Sequence, residues 1–182
     1  MKMSTRLLSE IIRFVISIIA VIMLAVFVVW SFFGRATVDN NSMNDLLKSD
    51  DKVLIDRFSY NFGSPKRFDV VYFSYGVNSS AKSIKRVIGL PGESVNIKNG
   101  EIYIDGNFLE LPEGLGPYNV AGLAENPIKL GKEEYFVLGD NAAGSDDSRF
   151  SSVGNIKAGN IEGKVWFRVS PISDIGFVSS TE

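Results

Sequence analysis

Histidine and cysteine are both absent from the 182-residue sequence. Without histidine the chain lacks the most common general base, and a Ser-His-Asp triad is excluded. Without cysteine it has no thiol nucleophile, no disulfide and no thiolate metal site, so its folded part is held by packing alone. If the chain performs nucleophilic acyl transfer, the combination that remains is a serine nucleophile with a lysine base.

A large excess of charge of either sign is also absent, because 19 lysines and arginines are balanced by 21 aspartates and glutamates. No basic stripe lies beyond the amino-terminal region, and a nucleic-acid partner is not expected. The acidic, glycine-containing segment at residues 139–150 invites a calcium site. However, Ala142 stands where an EF-hand loop needs an oxygen ligand. We expect neither a metal site nor an organic cofactor.

The sequence has one long hydrophobic run. Residues 14–33 are apolar except for Ser17 and Ser31, and about 20 residues suffice to cross the hydrocarbon core of a bilayer. A cleaved secretory signal is the alternative. Its apolar region is shorter, about 7–15 residues, and a small-x-small cleavage site is expected after it, which is missing here. We therefore expect an uncleaved membrane anchor.

Three basic side chains precede the run, at Lys2, Arg6 and Arg13. By the positive-inside rule this side stays in the cytoplasm and the rest of the chain lies outside. The predicted organisation is a cytoplasmic amino terminus at residues 1–13, a single-pass anchor at residues 14–33 and an extracytoplasmic domain at residues 34–182. The expected location is the cell membrane, with the lipid bilayer as a partner.

The part that follows is rich in strand patterns. Asn99-Gly100 separates two alternating segments, which is a strong hairpin signal because both turn positions favour φ > 0. A stretch rich in proline and glycine at residues 109–127 predicts a long loop. The segments with β-branched and aromatic residues typical of strands are residues 52–58, 68–73, 94–98, 101–105, 134–138 and 164–169. The predicted fold class is mainly β, an antiparallel domain after one transmembrane helix.

Lys85 lies in an apolar, β-branched segment, Ser-Ile-Lys-Arg-Val-Ile-Gly-Leu-Pro-Gly at residues 83–92. A lysine in this context is expected to be at least partly buried. Burial lowers the pKa of an ammonium group, so such an amine can accept a proton near neutral pH. The alternative is a strand lysine whose stem is covered while its amine reaches solvent.

Ser42 follows the hydrophobic run closely enough to lie no more than roughly 30 Å from the bilayer edge. The apolar Met43 beside it suits contact with a lipid-like substrate. The alternative is a linker serine that caps a short helix before Asn44 and Asp45. The residue pattern alone leaves both interpretations open.

The acidic segment at residues 139–150 also carries candidate supporting residues. Asp147 and Arg149 can form a charge-assisted pair that braces the loop. Ser145 and Ser148 can hydrogen-bond to neighbouring polar groups. An ordinary surface turn is the alternative.

Together these segments resemble bacterial type I signal peptidases, which are membrane-anchored endopeptidases with a Ser/Lys dyad. The resemblance covers nearly the whole chain. It runs from the anchor and a Ser-Met pair through the lysine-containing segment to Gly-Asp-Asn followed by Ser-x-Asp-Ser-Arg. It implies an enzyme that removes signal peptides from secretory precursor proteins through an acyl-enzyme, without metal or cofactor.

The resemblance also implies a role for individual residues. Ser42 would be the nucleophile and Lys85 its general base, with Ser145 orienting the lysine amine. Asn40 would assist the oxyanion hole, and Met43 would contact substrate. Asp147 and Arg149 would support the site without reacting.

The sequence departs from the family pattern around the nucleophile. Asp45 and Leu46 stand where Pro and Thr are usual, Asn40 stands where Gly or Ser is common, and Ala142 replaces the usual Arg. These departures suggest a specialised relative. The alternative function is therefore a signal-peptidase-like assembly factor for surface pili of Gram-positive bacteria, with pilin or sortase-system partners and little or no peptidase activity.

Overall fold

A computed structural model describes residues 5–44 and 46–178 of the chain. Within them, one long amino-terminal helix precedes a domain built mainly from antiparallel strands, which confirms the predicted fold class. The helices are α1 Thr5–Phe32 and α2 Ser59–Phe62. The strands are β1 Phe33–Thr37, β2 Lys52–Asp56, β3 Val70–Tyr75, β4 Ala81–Gly89, β5 Ser94–Lys98, β6 Glu101–Ile104, β7 Asn107–Phe108, β8 Ile128–Lys129, β9 Glu134–Leu138, β10 Ile156–Lys157, β11 Ile161–Ser170 and β12 Gly176–Phe177. Short 3₁₀ helices lie at Asn41–Met43, Val77–Ser79, Gly122–Glu125, Ala158–Asn160 and Ile172–Asp174.

The long helix has the length and composition of a membrane span. Its 28 residues rise about 42 Å at 1.5 Å per residue, and the stretch Leu7–Phe27 is apolar enough to cross a bilayer. None of the side chains of the stretch Leu7–Phe27 is buried within the described residues. The hydroxyl of Ser17 donates to the carbonyl of Arg13 within the helix, so this polar group is satisfied without water.

The larger sheet has the strand order β1-β2-β11-β3-β4-β9-β10, with β12 added beside β11, and every pairing in it is antiparallel. β11 is ten residues long and pairs with three strands through register shifts that bend it. β4 follows β3 in register, so that Lys85 lies opposite Val71 and Ser83 lies opposite Phe73. This pairing fixes the segment that carries the candidate base.

The smaller sheet has the order β7-β6-β5-β8. β5 and β6 form the hairpin expected from Asn99-Gly100, and both turn residues have positive φ, 52° and 85°. The remaining predicted strands are found as β2, β3, β9 and β11; β9 has the predicted bounds, and the boundaries of the others are shifted by at most three residues. Three contiguous clusters of buried apolar side chains form the core, one of them under the smaller sheet.

Two regions differ from the sequence-based expectation. β1 lacks the alternating pattern of a half-buried strand, yet it pairs along its whole length with β2. The long stretch at residues 109–127 is mostly without regular structure as expected, but it is not a solvated loop. Tyr118 is fully buried in it and its backbone bridges to Gly100. Both the pairing of β1 and the burial of Tyr118 depend on contacts with distant segments, which a local sequence pattern does not show.

Candidate active site

The candidate base lies on β4, in the middle of the larger sheet. Lys85 is 1% exposed. Its amine Nζ lies 2.7 Å from the hydroxyl oxygen of Ser42, 2.8 Å from that of Ser83 and 3.2 Å from the carbonyl oxygen of Ile84. The structure therefore brings the two predicted catalytic residues, 43 positions apart in sequence, into direct hydrogen-bond contact.

Ser42 lies in the 3₁₀ helix Asn41–Met43 and is 2% exposed. Its carbonyl oxygen accepts from the backbone N–H of Asn141, and the Asn141 side chain donates to the carbonyl of Asn41. Behind this contact is Gly139, where an added Cβ would lie 2.4 Å from the Ser42 carbonyl oxygen. The Gly-Asp-Asn segment therefore holds the nucleophile turn at close range.

Asn40 caps the nucleophile turn, since its side-chain Oδ1 accepts a hydrogen bond of 3.1 Å from the backbone N–H of Ser42. The interpretation of Ser42 as a helix cap is therefore wrong. The residue sits in a capped short helix, but the cap is Asn40, and the Ser42 hydroxyl is left to face the lysine. The backbone N–H of Ser42 is thus engaged by Asn40 in this structure.

The environment of Lys85 lowers its pKa. Burial is the largest cause, and it brings the pKa from 10.5 to about 8, while the carboxylates of Asp147, Asp146 and Asp140 act in the opposite direction. An amine with this pKa is neutral in an appreciable fraction of molecules near neutral pH. Such an amine can accept the proton of a serine hydroxyl.

Asp147 and Arg149 form a fully buried bidentate pair, with Nε to Oδ1 at 2.8 Å and Nη2 to Oδ2 at 3.0 Å. Asp147 also accepts from the Gly139 N–H, and Arg149 donates to carbonyls at Val120 and Ala142. These contacts fix the loop after β9, which is a bracing arrangement and not an exposed turn.

Ser145 is buried beside this loop, but its hydroxyl has no hydrogen-bond partner among the described residues. An added Cβ on Gly139 would lie 2.2 Å from the Ser145 oxygen, which places the hydroxyl against the Gly-Asp-Asn segment. The hydrogen bonds of the lysine amine go elsewhere. Ser148, the other serine of the segment, accepts from the Val137 N–H and donates to the Gly154 carbonyl.

A second buried ion pair was not singled out in the sequence. Arg86 and Asp140 make two hydrogen bonds of 2.8 and 2.7 Å. Arg86 also donates to the Phe68 carbonyl. The pair joins β4, directly after the lysine, to the Gly-Asp-Asn segment. The sequence could have indicated this pair, because Arg86 directly follows Lys85 in one recognised segment and Asp140 belongs to the Gly-Asp-Asn of the other.

The segment after Ser42 packs inward. Met43 and Leu47 are fully buried in one of the core clusters, and Leu46 packs against the same cluster. The carbonyl of Leu46 accepts a hydrogen bond from Arg168. Asp45, the departure at the usual proline position, lies outside the described residues.

A cavity of about 250 Å³ opens beside the serine. It is lined by residues 35–40 from β1 and the following turn, residues 82–84 of β4, Tyr72 of β3, and Ser42 and Met43. Ser42 and Ser83 both border the cavity, whereas the amine of Lys85 lies behind them. A substrate in the cavity would therefore meet the serine first. Met43 borders it too, although its side chain mainly belongs to the core.

Comparison with known proteins identifies the family. A model of the family described as signal peptidase, peptidase S26, matches residues 11–170. The chain belongs to this family. Signal peptidase IB of Staphylococcus aureus strain COL is 34% identical over 181 residues, which cover 91% of this chain and 92% of that protein. The recognition made from the motifs is confirmed, as is the expected class of enzyme, a type I signal peptidase.

Two further comparisons differ in coverage. A probable signal peptidase I-2 of Synechocystis sp. is 29% identical over 147 residues, and the match covers 78% of this chain and 65% of that protein. The crystal structure of a signal peptidase I from Enterococcus faecalis V583 has 28% sequence identity and a TM-score of 0.44, covering 57% of this chain and 97% of that one. The signal peptidase family and the apolar helix α1 together associate this chain with a membrane.

Proposed function

We propose that this chain removes signal peptides from secretory precursors by serine acyl transfer, with Ser42 as the nucleophile and Lys85 as the general base. The observation that carries the proposal is the buried hydrogen bond of 2.7 Å between the Lys85 amine and the Ser42 hydroxyl. The lowered pKa of Lys85, about 8, supplies the neutral amine that the reaction needs.

In the first step, neutral Lys85 accepts the hydroxyl proton while the Ser42 oxygen attacks the scissile carbonyl. The ammonium then gives this proton to the leaving amine, and an ester to Ser42 remains. In the second step Lys85 takes a proton from water, the hydroxide attacks the ester, and the acid is released with the Ser42 hydroxyl restored. No group outside the chain is needed to balance these transfers.

The oxyanion requires a donor that is free. The Ser42 N–H is engaged by Asn40 Oδ1 before substrate binds, so the scissile carbonyl has to replace this oxygen. Turning the Asn40 amide about its last side-chain bond would then present its NH₂ group to the same oxyanion. Asn40 in this way serves as a cap in the free enzyme and as a second oxyanion donor during the reaction.

The cleft fits an extended peptide. β1 pairs with β2 on one side, and no described strand pairs with its other edge. The first part of β4 pairs with β3, and its other edge meets β9 only from Arg86 onward. Both open edges border the cavity through residues 35–40 and 82–84. A precursor strand lying there could pair with backbone on both sides.

The proposed topology places residues 1–13 in the cytoplasm and the β-domain on the outer face of the cell membrane, with α1 as a single-pass anchor. The basic residues before the apolar run support this orientation. Partnership with pilin or sortase-system proteins stays a prediction from the altered motif alone. The intact contact between Ser42 and Lys85 favours peptidase activity over an assembly role without it.

The test uses the full-length protein in detergent with a secretory precursor, and the product is identified by mass spectrometry. Ser42→Ala should reduce cleavage by about 10³-fold or more, while Ser151→Ala, a change at an exposed turn serine, should cleave like the parent. Thermal unfolding of the variants checks that each is folded. Cleavage retained by folded Ser42→Ala would rule out this serine as the nucleophile.

A further inference from the structure

Ser83 is a side-chain contact of the lysine amine that the motif comparison did not assign. It precedes Lys85 by two residues on β4, so both side chains lie on the same face of the strand. The distance from its hydroxyl oxygen to the amine is 2.8 Å, almost as short as that from Ser42. Ser83 is half-buried and borders the cavity.

The three contacts of the amine match the needs of a neutral base. A neutral amine has two N–H bonds and one lone pair, and the lone pair must point at the hydroxyl proton of Ser42. Ser83 Oγ and the Ile84 carbonyl are acceptors for the two N–H bonds. With both bonds held, the lone pair is left in the third direction, toward Ser42.

Ser145 does not accept a hydrogen bond from the Lys85 amine in the structure. Its hydroxyl lies against Gly139 and has no hydrogen-bond partner among residues 5–44 and 46–178. The backbone carbonyl of Ile84 alone fixes only one N–H of the amine. The second fixed direction therefore comes from Ser83.

We propose that Ser83 is a positioning residue that directs the lone pair of Lys85 at the Ser42 hydroxyl, the role that the family resemblance implied for Ser145. This inference rests on the proposed function, since it concerns the same dyad. Ser83 touches the base and acts on the reaction through it.

The charged groups around the amine allow a clear pH test. Asp147, Asp146 and Asp140 act on Lys85 from the segment after β9; two of them are paired with Arg149 and Arg86. None of these groups hydrogen-bonds to Ser83. Removing the Ser83 hydroxyl takes one acceptor from the ammonium and leaves these charges in place. The charged form of the amine then becomes less favourable, and its titration moves to lower pH.

The experiment compares Ser83→Ala with Ser83→Thr in the full-length enzyme, measuring kcat, KM and the pH profile of precursor cleavage. In Ser83→Ala we expect kcat to fall about 10- to 100-fold, KM to stay within about twofold, and the acidic limb to move to lower pH. Ser83→Thr keeps the hydroxyl and should recover most of kcat. Ser74→Ala is the matched control and should behave like the parent, since the Ser74 hydroxyl makes only a long contact of 3.4 Å to the carbonyl of Asn160, the residue before β11.

An acidic limb that stays in place in Ser83→Ala would overturn the inference, whatever the change in kcat, because a purely structural serine would not move it. A Ser83→Thr enzyme as slow as Ser83→Ala would also overturn it. Ser42→Ala and Lys85→Ala are measured in the same assay. If both are inactive while Ser83→Ala matches the parent, only the inference fails; if either retains cleavage, the proposed dyad itself fails.

Discussion

Burial lowers the pKa of Lys85, three nearby carboxylates raise it, and burial is the larger effect. The balance matters because the ammonium form cannot accept the serine proton. Sequence reasoning could predict this residue and Ser42, since both lie in recognisable segments. It could not predict Ser83 or the orientation of Asn40, because the register of two strands and the geometry of one short turn decide them.

The rate should therefore depend on pH through Lys85. The base is active when deprotonated, so kcat/KM should fall as the pH drops below about 8, the pKa of Lys85, by about tenfold per pH unit. Above that value it should level off. Steady-state cleavage of a precursor peptide between pH 5 and 10 measures the limb.

Lys85→Arg is the companion variant, because a guanidinium keeps its proton throughout this range. It should be as inactive as Lys85→Ala. A level profile from acid to neutral pH, or activity in Lys85→Arg, would contradict a neutral lysine base.

At the scale of elements, the loop after β9 is what brings the serine turn to the lysine strand. It contacts the turn through Asn141 and β4 through Asp140. The sequence predicted β9 before this loop but not the short strand β10 that follows it. It did not predict that Ser145 and residues 147–149 of the loop would be buried, nor that Tyr118 from the long stretch before β8 would donate to the Gly139 carbonyl. Such contacts join segments that share no local pattern.

Gly139 should tolerate no side chain. An alanine Cβ would lie 2.2 Å from the Ser145 oxygen and 2.4 Å from the Ser42 carbonyl oxygen, so the serine turn must move. We expect Gly139→Ala to cost about 1–3 kcal/mol in stability and at least about tenfold in kcat. Gly159→Ala, where an added Cβ meets nothing within 4 Å, is the control. Equal kcat in the two variants would show that the close approach is not needed.

The buried Asp147–Arg149 pair should matter more than an exposed one. Arg149→Met leaves the Asp147 carboxylate without its guanidinium partner, and removing one member of a buried pair costs about 3–5 kcal/mol. Glu162→Gln opens the partly exposed pair with Lys82 and should cost less than about 1 kcal/mol. Denaturant unfolding of both variants gives the comparison. Similar losses would mean that the buried pair adds no stability beyond a surface pair.

At the scale of the whole molecule, the apolar stretch of α1 is not buried in the core of the β-domain, although the chain passes from α1 into β1 without a break. The side chains of the candidate span lie outside the domain core, so the domain should fold without it. The division into an anchor at residues 14–33 and a domain from residue 34 stays a prediction from the hydrophobic run. In the structure Phe33, the last apolar residue of that run, belongs to β1, and its ring centroid lies 5.3 Å from that of Trp166.

A protein that starts at Phe33 should therefore remain folded, lose its sedimentation with membranes, and still cleave a soluble peptide, since Ser42 and Lys85 remain. A protein that starts at Val38 lacks β1, one wall of the cavity, and should lose most of this cleavage. Circular dichroism and a peptide-cleavage assay test both. An unfolded protein starting at Phe33 would show that the helix is part of the folding unit.

Because β1 follows α1 directly, the distance between the helix and the cleft is fixed. The helix ends at Phe32 and the strand that walls the cleft begins at the next residue, so no linker lets the cleft move up or down relative to the membrane. With α1 as the proposed anchor, the scissile bond of a precursor is expected to lie at one fixed distance from its own apolar segment. Inserting polar residues between that segment and the cleavage site should lower processing steeply with each added residue. Inserting a flexible Gly-Ser spacer between Phe32 and Phe33 of the enzyme should widen the accepted range of distances.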